Sequence, residues 1–105
     1  MVLIHIIAKD IDQARSASEV LIQEDLVLNV VTYKTVQVSR KNDQGQIETV
    51  DQVFLMAQTK ALLFNTIDQR LRTLFGEDMP MLYSVPIVNM DWEQANYLVE
   101  HIARV

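Results

Sequence analysis

The chain contains no cysteine, which removes disulfide cross-links, thiolate nucleophiles and thiolate metal ligands together. Glycine and proline are scarce, two of each in 105 residues, so no stretch reads as a linker, a low-complexity segment or a glycine-rich phosphate loop. An HExxH pair and a nucleophile elbow are missing as well. With no catalytic motif in any of these forms, the chain is not expected to be an enzyme. Basic residues are few: nine against fourteen acidic ones, a formal charge of −5, with Arg40-Lys41 their densest cluster. A phosphate backbone is repelled over most of such a surface, so nucleic acid is excluded as a partner. Long apolar runs are also missing. The stretch Val2 to Ala8 is too short to span a bilayer and has no basic leader, so a membrane role is not expected and a cytoplasmic location is.

What remains is half apolar sequence at the usual length of one domain, expected to occupy residues 1–105. Val2 to Ala8 is rich in β-branched residues and nearly uninterrupted, as a central strand buried on both faces is. Asp10 offers an N-cap with Gln13 three residues on, and Ile11, Ala14, Ala17, Leu21 and Ile22 recur at helical spacing to about Glu24. From Val27 to Ser39 a long strand is expected, with Val27, Val31 and Tyr33 on one side and Leu28, Val30, Val36 and Val38 on the other. Arg40 to Gly45 is a polar turn, and Gly45 supplies the positive φ that closes a hairpin. The strand pattern resumes at Gln46 and runs to about Thr59. Arms of more than a dozen residues must project past a domain of this size, since strands of about five or six are the norm.

Lys60 to Phe75 reads as a helix with Leu63, Ile67, Leu71 and Leu74 on one stripe and Gly76 as its C′ residue. Leu82 to Val88 reads as a strand whose Pro86 marks an edge or an end. A last helix over about 91–104 starts at Asp91 and carries Trp92, Ala95, Val99 and Ile102. The order is that of an α+β, ferredoxin-like βαββαβ sandwich with an extra C-terminal helix and a long hairpin. In that architecture the helices cover one face of the sheet. The first strand and the middle of the third, Val53 to Ala57, are apolar on both sides, so the second face also needs a cover, and self-association supplies it.

Met79-Pro80-Met81-Leu82-Tyr83-Ser84-Val85-Pro86-Ile87 resembles a segment of the CutA-type divalent-cation-tolerance proteins in which two prolines bracket strand four. Ala14 to Leu26 is similar to that family's first helix and its exit, and Asn96-Tyr97-Leu98 to its last helix. The family is related to the PII signalling proteins. The resemblance implies a homotrimer held through the hairpin, a link to divalent-cation tolerance or signalling, and a divalent metal ion, copper or zinc. Several positions depart from the family pattern. Asn29 stands where a cysteine is common, Phe75-Gly76-Glu77 where a histidine-proline-tyrosine run is common, and Met81 where a glutamate is. These changes remove donors suited to copper or zinc.

The candidate ligand-binding residues are Tyr33, Lys34 and Lys60 near the hairpin base, where the resemblance implies clefts between subunits, and the acidic pair Glu77 and Asp78. The two lysines suit a small anionic ligand, and the acidic pair a hard cation. His5 is expected as a packed or interface imidazole with one ring hydrogen bond, and His101 as a complement to its helix dipole. Met56, Met79, Met81 and Met90 are thioether donors of the kind Cu(I) accepts, though methionine more often fills cores. Trp92 reads as a core or interface anchor. Two rival readings are a PII-like sensor of nucleotides or small anions, with the Asn42–Gly45 tip as its mobile loop, and a dimeric ferredoxin-like barrel enzyme built around His5.

Overall fold

Strand β1 (Val2–Ala8) lies inside a four-stranded antiparallel sheet, in a computed structural model that describes residues 1–105. Helix α1 (Ile11–Gln23) follows, then β2 (Val31–Lys41), β3 (Ile47–Thr59), helix α2 (Phe64–Phe75), β4 (Met81–Pro86) and helix α3 (Trp92–His101). The strand order is β2-β3-β1-β4, the ferredoxin-like arrangement, with the C-terminal helix as its extra element. The fold class is the α+β one expected.

Strand alternation divides the residues between two faces. Ile4, Ile6 and Ala8 of β1 and Val53, Leu55 and Ala57 of β3 point to the helical side. There they form one buried cluster with Ala14, Ala17 and Leu21 of α1 and Ile67 and Leu71 of α2. The opposite face carries Leu3, His5 and Ile7, register partners of Gln58, Met56 and Phe54 on β3 and of Val85, Tyr83 and Met81 on β4. No helix covers it, and Val31, Tyr33, Met81, Tyr83 and Val85 are exposed there.

Helix α1 starts as expected. The Asp10 carboxylate accepts from the Gln13 amide at 2.8 Å. Its end differs from the expected one. Asp25 adopts φ +55°, and the amides of Asp25 and Leu26 donate to the carbonyls of Ile22 and Leu21 at 3.1 and 2.9 Å. This is a Schellman closure with aspartate in the place glycine usually takes. It turns Leu26 and Val27 into the core, where both are buried. The hairpin arm therefore begins at Val31 and not at Val27. Leu26 and Val27 are apolar because they pack under the helix exit, and in sequence that is indistinguishable from a strand start.

The hairpin spans residues 31–59. Beyond Val53, β3 has only β2 as a neighbour, because β1 ends at Ala8. The outer part is a two-stranded ribbon, a form marginal by itself in water. The chain extends 49 × 28 × 20 Å with a radius of gyration of 14.8 Å, against about 13 Å for a compact domain of this length. A bulge between Tyr33 and Val36 bends the ribbon where it leaves the sheet.

Three further expectations shift. The second helix is preceded by a 3-10 turn, Ala61–Leu63, and Leu74 lies outside its buried stripe. The fourth strand begins at Met81 and ends at Pro86, so Pro86 is both on an edge strand and at its end. The last helix stops at His101. It buries Leu98, with Ile102 just beyond, while Trp92 and Val99 face outward, Trp92 70% exposed. The helix is rotated because the Ala103 amide donates to the Asp25 carbonyl at 2.7 Å, fixing its end against the α1 exit.

Candidate functional site

The end of the sheet from which the ribbon leaves holds a cavity of about 440 Å³. Lys9 enters it just after β1, Gln13 from the first turn of α1, Arg40 from β2, and Asp78 from the 3-10 turn Gly76–Asp78. Met79, Pro80 and Met81 form an apolar wall. Gln13 ties three of these segments together. Its amide oxygen accepts from the Lys9 backbone N–H at 2.9 Å, and its amide nitrogen donates to the Asp78 carbonyl at 2.6 Å. The spacing from Asp10 to Gln13 suggests a capping box, yet the side chain reaches one residue further back and across to the β4 approach. Lys9 is ion-paired to Asp78. That carboxylate, through its hydrogen bond and then its charge, holds the lysine ammonium above its ordinary value. Arg40 pairs with Glu48 across the ribbon at 3.3 Å.

The five candidate residues do not converge within one chain. Tyr33 lies on the uncovered sheet face, edge-on to Phe54 at 5.9 Å between ring centres. Lys34, in the bulge, borders a hollow on the α1 side with Arg15, Ser18 and Thr32. Lys60 donates to the Ala103 carbonyl at 2.8 Å, beside Glu100 and Arg104. Asp78 belongs to the cavity described above, and Glu77 is exposed next to it. Lys9, Gln13 and Arg40 were not among the candidates. The Asp10–Gln13 spacing was the available signal for Gln13, and none marked the other two.

His5 stands mid-face on β1, with Phe54 and Tyr83 edge-on at 5.0 and 5.1 Å. Both ring nitrogens are buried, and neither has a hydrogen-bond partner, so the expected single bond is not made. His101 accepts or donates at the Tyr97 carbonyl at 2.8 Å and stacks on the Tyr97 ring.

The topology, the uncovered face and the projecting ribbon now have a counterpart among known proteins. The family model described as CutA1 divalent ion tolerance protein matches residues 2–101. The chain belongs to the CutA1 family. A CutA from the plant pathogen Xylella fastidiosa superposes on it with a TM-score of 0.86 at 26% identity, covering 97% of each chain. The divalent cation tolerance protein of Thermus thermophilus does so with 0.86 at 20% identity, covering 98% of this chain and all of that one. A protein of Archaeoglobus fulgidus described as periplasmic gives 0.86 at 17%, with the same coverage. At the two lower identities the likeness is one of fold alone. No curated protein matches the chain in sequence.

The family name raises the question of a metal, and the donor set answers it for one chain. No three histidine, aspartate or glutamate side chains come together in a way that could hold an ion. Around the cavity, where Met81 replaces the family's glutamate, the available donors are the thioethers of Met79 and Met81 and a carboxylate already paired with Lys9. Hard and soft donors so mixed, with the carboxylate neutralised, do not fit a copper or zinc centre.

Proposed function

We propose that this CutA1 family member acts as a non-catalytic homotrimer linked to divalent-cation tolerance or signalling. In this reading residues 1–105 form one domain, assembly runs through the hairpin, and a small anionic ligand binds weakly in clefts between subunits. The observation that carries it is the uncovered sheet face. Leu3, Ile7, Phe54, Met56, Tyr83 and Val85 lie side by side across three strands with no helix above them. An apolar sheet face of this extent calls for a cover. The ribbon adds support, because its two strands have no third element to lie on within the chain. A closed ring of copies meets both needs, each ribbon extending a neighbour's sheet.

Assembly would also gather residues that one chain keeps apart. Tyr33, Lys34 and Lys60 at the hairpin base, with Glu77 and Asp78 of the next subunit, are the groups we place around each cleft. A cytoplasmic location belongs to the same reading. The apolar run Val2–Ala8 is used as a central strand, and no helix is long and apolar enough to cross a membrane.

Val31→Lys and Val85→Lys test the cover directly. Both side chains are exposed in the single chain, so a lysine reaches water there without unfolding it. By native mass spectrometry each variant is expected to be a monomer with an unchanged far-UV spectrum, while the parent protein is a trimer. Variants that stay trimeric would place the contact on another surface.

A further inference from the structure

We infer that His5 makes self-association acid-sensitive, an inference that rests on the assembly proposed above. His5 occupies the middle of β1 on the uncovered face, with Met56 and Tyr83 as its register partners. Both ring nitrogens are buried without a partner, beneath the edges of Phe54 and Tyr83. Most buried polar nitrogens are hydrogen-bonded, and a buried charge costs far more than a buried neutral group. An imidazolium in this place therefore needs water or a carboxylate.

No carboxylate faces it. Leu3 and Ile7 flank it on β1, Phe54 and Met56 on β3, and Tyr83 on β4. Tyr33 of β2 lies beyond Phe54. The titratable groups around it are thus the two tyrosines, neutral below pH 8. Water can reach the ring in the free chain, because Tyr83 is 40% exposed and able to swing outward. A second copy seated on this face would pin Tyr83 and close that route. The free subunit then binds the proton more readily than the assembled one. Assembly is favoured where the ring is neutral and weakens as pH falls through the imidazole range.

The test is sedimentation equilibrium of the full chain at pH values of about 7.5 and 5.5, the lower being about one unit below the ordinary imidazole midpoint. It stays above the chain's isoelectric point of 4.8. The parent protein and the neutral variants His5→Leu and His5→Gln are compared. The parent is expected to be trimeric at the higher pH and to lose about tenfold in association constant per subunit at the lower. At least one variant, folded by circular dichroism, is expected to keep its association constant at both. A parent equally associated at both pH values would overturn the inference. So would variants that weaken as the parent does, since other groups would then be responsible. Stronger association in acid would also overturn it, by showing a carboxylate supplied across the interface. A parent that is monomeric at about pH 7.5 would instead contradict the assembly itself.

Discussion

Thr59, the last residue of β3, donates its hydroxyl hydrogen to the carbonyl of Leu26 at 2.6 Å, and neither residue is open to solvent. The bond joins the end of the central hairpin arm to the segment that leaves α1. It holds Leu26 and Val27 in the core and so sets where the hairpin begins.

Thr59→Val keeps the shape and removes the donor. The Leu26 carbonyl is then buried without that partner, which costs about 1–3 kcal/mol. Urea unfolding at one fixed protein concentration is expected to show a loss of this size with an unchanged slope. No loss would mean that the carbonyl finds another partner.

Asp25 holds the left-handed position that ends α1, with φ +55°. Glycine takes this conformation without a Cβ penalty, and aspartate also sets a negative charge at the negative end of the helix. Asp25→Gly is expected to stabilise the chain by about 0.5–1 kcal/mol, read as a higher thermal midpoint. The Ala103 amide bonds the backbone carbonyl of this residue and is not disturbed.

Gln13 and Lys9 both reach Asp78, but with unequal consequences. Gln13 is almost fully buried, and its amide serves a backbone N–H and a backbone carbonyl. Gln13→Leu leaves both unpaired and is expected to cost about 1–3 kcal/mol by urea unfolding. The Lys9–Asp78 pair is more than half exposed on both sides, so Lys9→Met is expected to leave the urea midpoint at neutral pH unchanged. The lysine is held above its model value of 10.5. What the pair contributes is therefore complete below that value and is lost as pH rises through the raised one. Lys9→Met is expected to remove that alkaline loss and to alter nothing at acid or neutral pH.

The architecture was legible in the sequence because it is written in short-range pattern. Alternation in β1 and β3, the Asp10 cap, Gly45 in the turn and Gly76 after α2 each act within a few residues. The two-sided hydrophobicity of Leu3 to Ile7 and Val53 to Ala57 even marked the face left uncovered. The boundary at Val31 and the outward turn of Trp92 were not legible. Both depend on bonds between segments far apart in the chain, Thr59 to Leu26 and Ala103 to Asp25. The cavity at Asp78 was hidden for the same reason. Lys9, Gln13 and Arg40 come to it from three elements, and nothing in their spacing relates them.

The metal expectation can be settled by calorimetric titration with Cu(I), Cu(II) and Zn(II). With Asn29 and Met81 in place of the family's cysteine and glutamate, and no three-donor group in the chain, no binding tighter than about micromolar is expected. A nanomolar site would show that assembly creates a donor set which one chain lacks.

The most direct measurement is the mass of the particle in solution. Sedimentation equilibrium of the unmodified protein at micromolar concentration and neutral pH is expected to give three times the 12.1 kDa of the chain. A single species at 12.1 kDa would leave the apolar face and the ribbon without their cover, and would contradict the account.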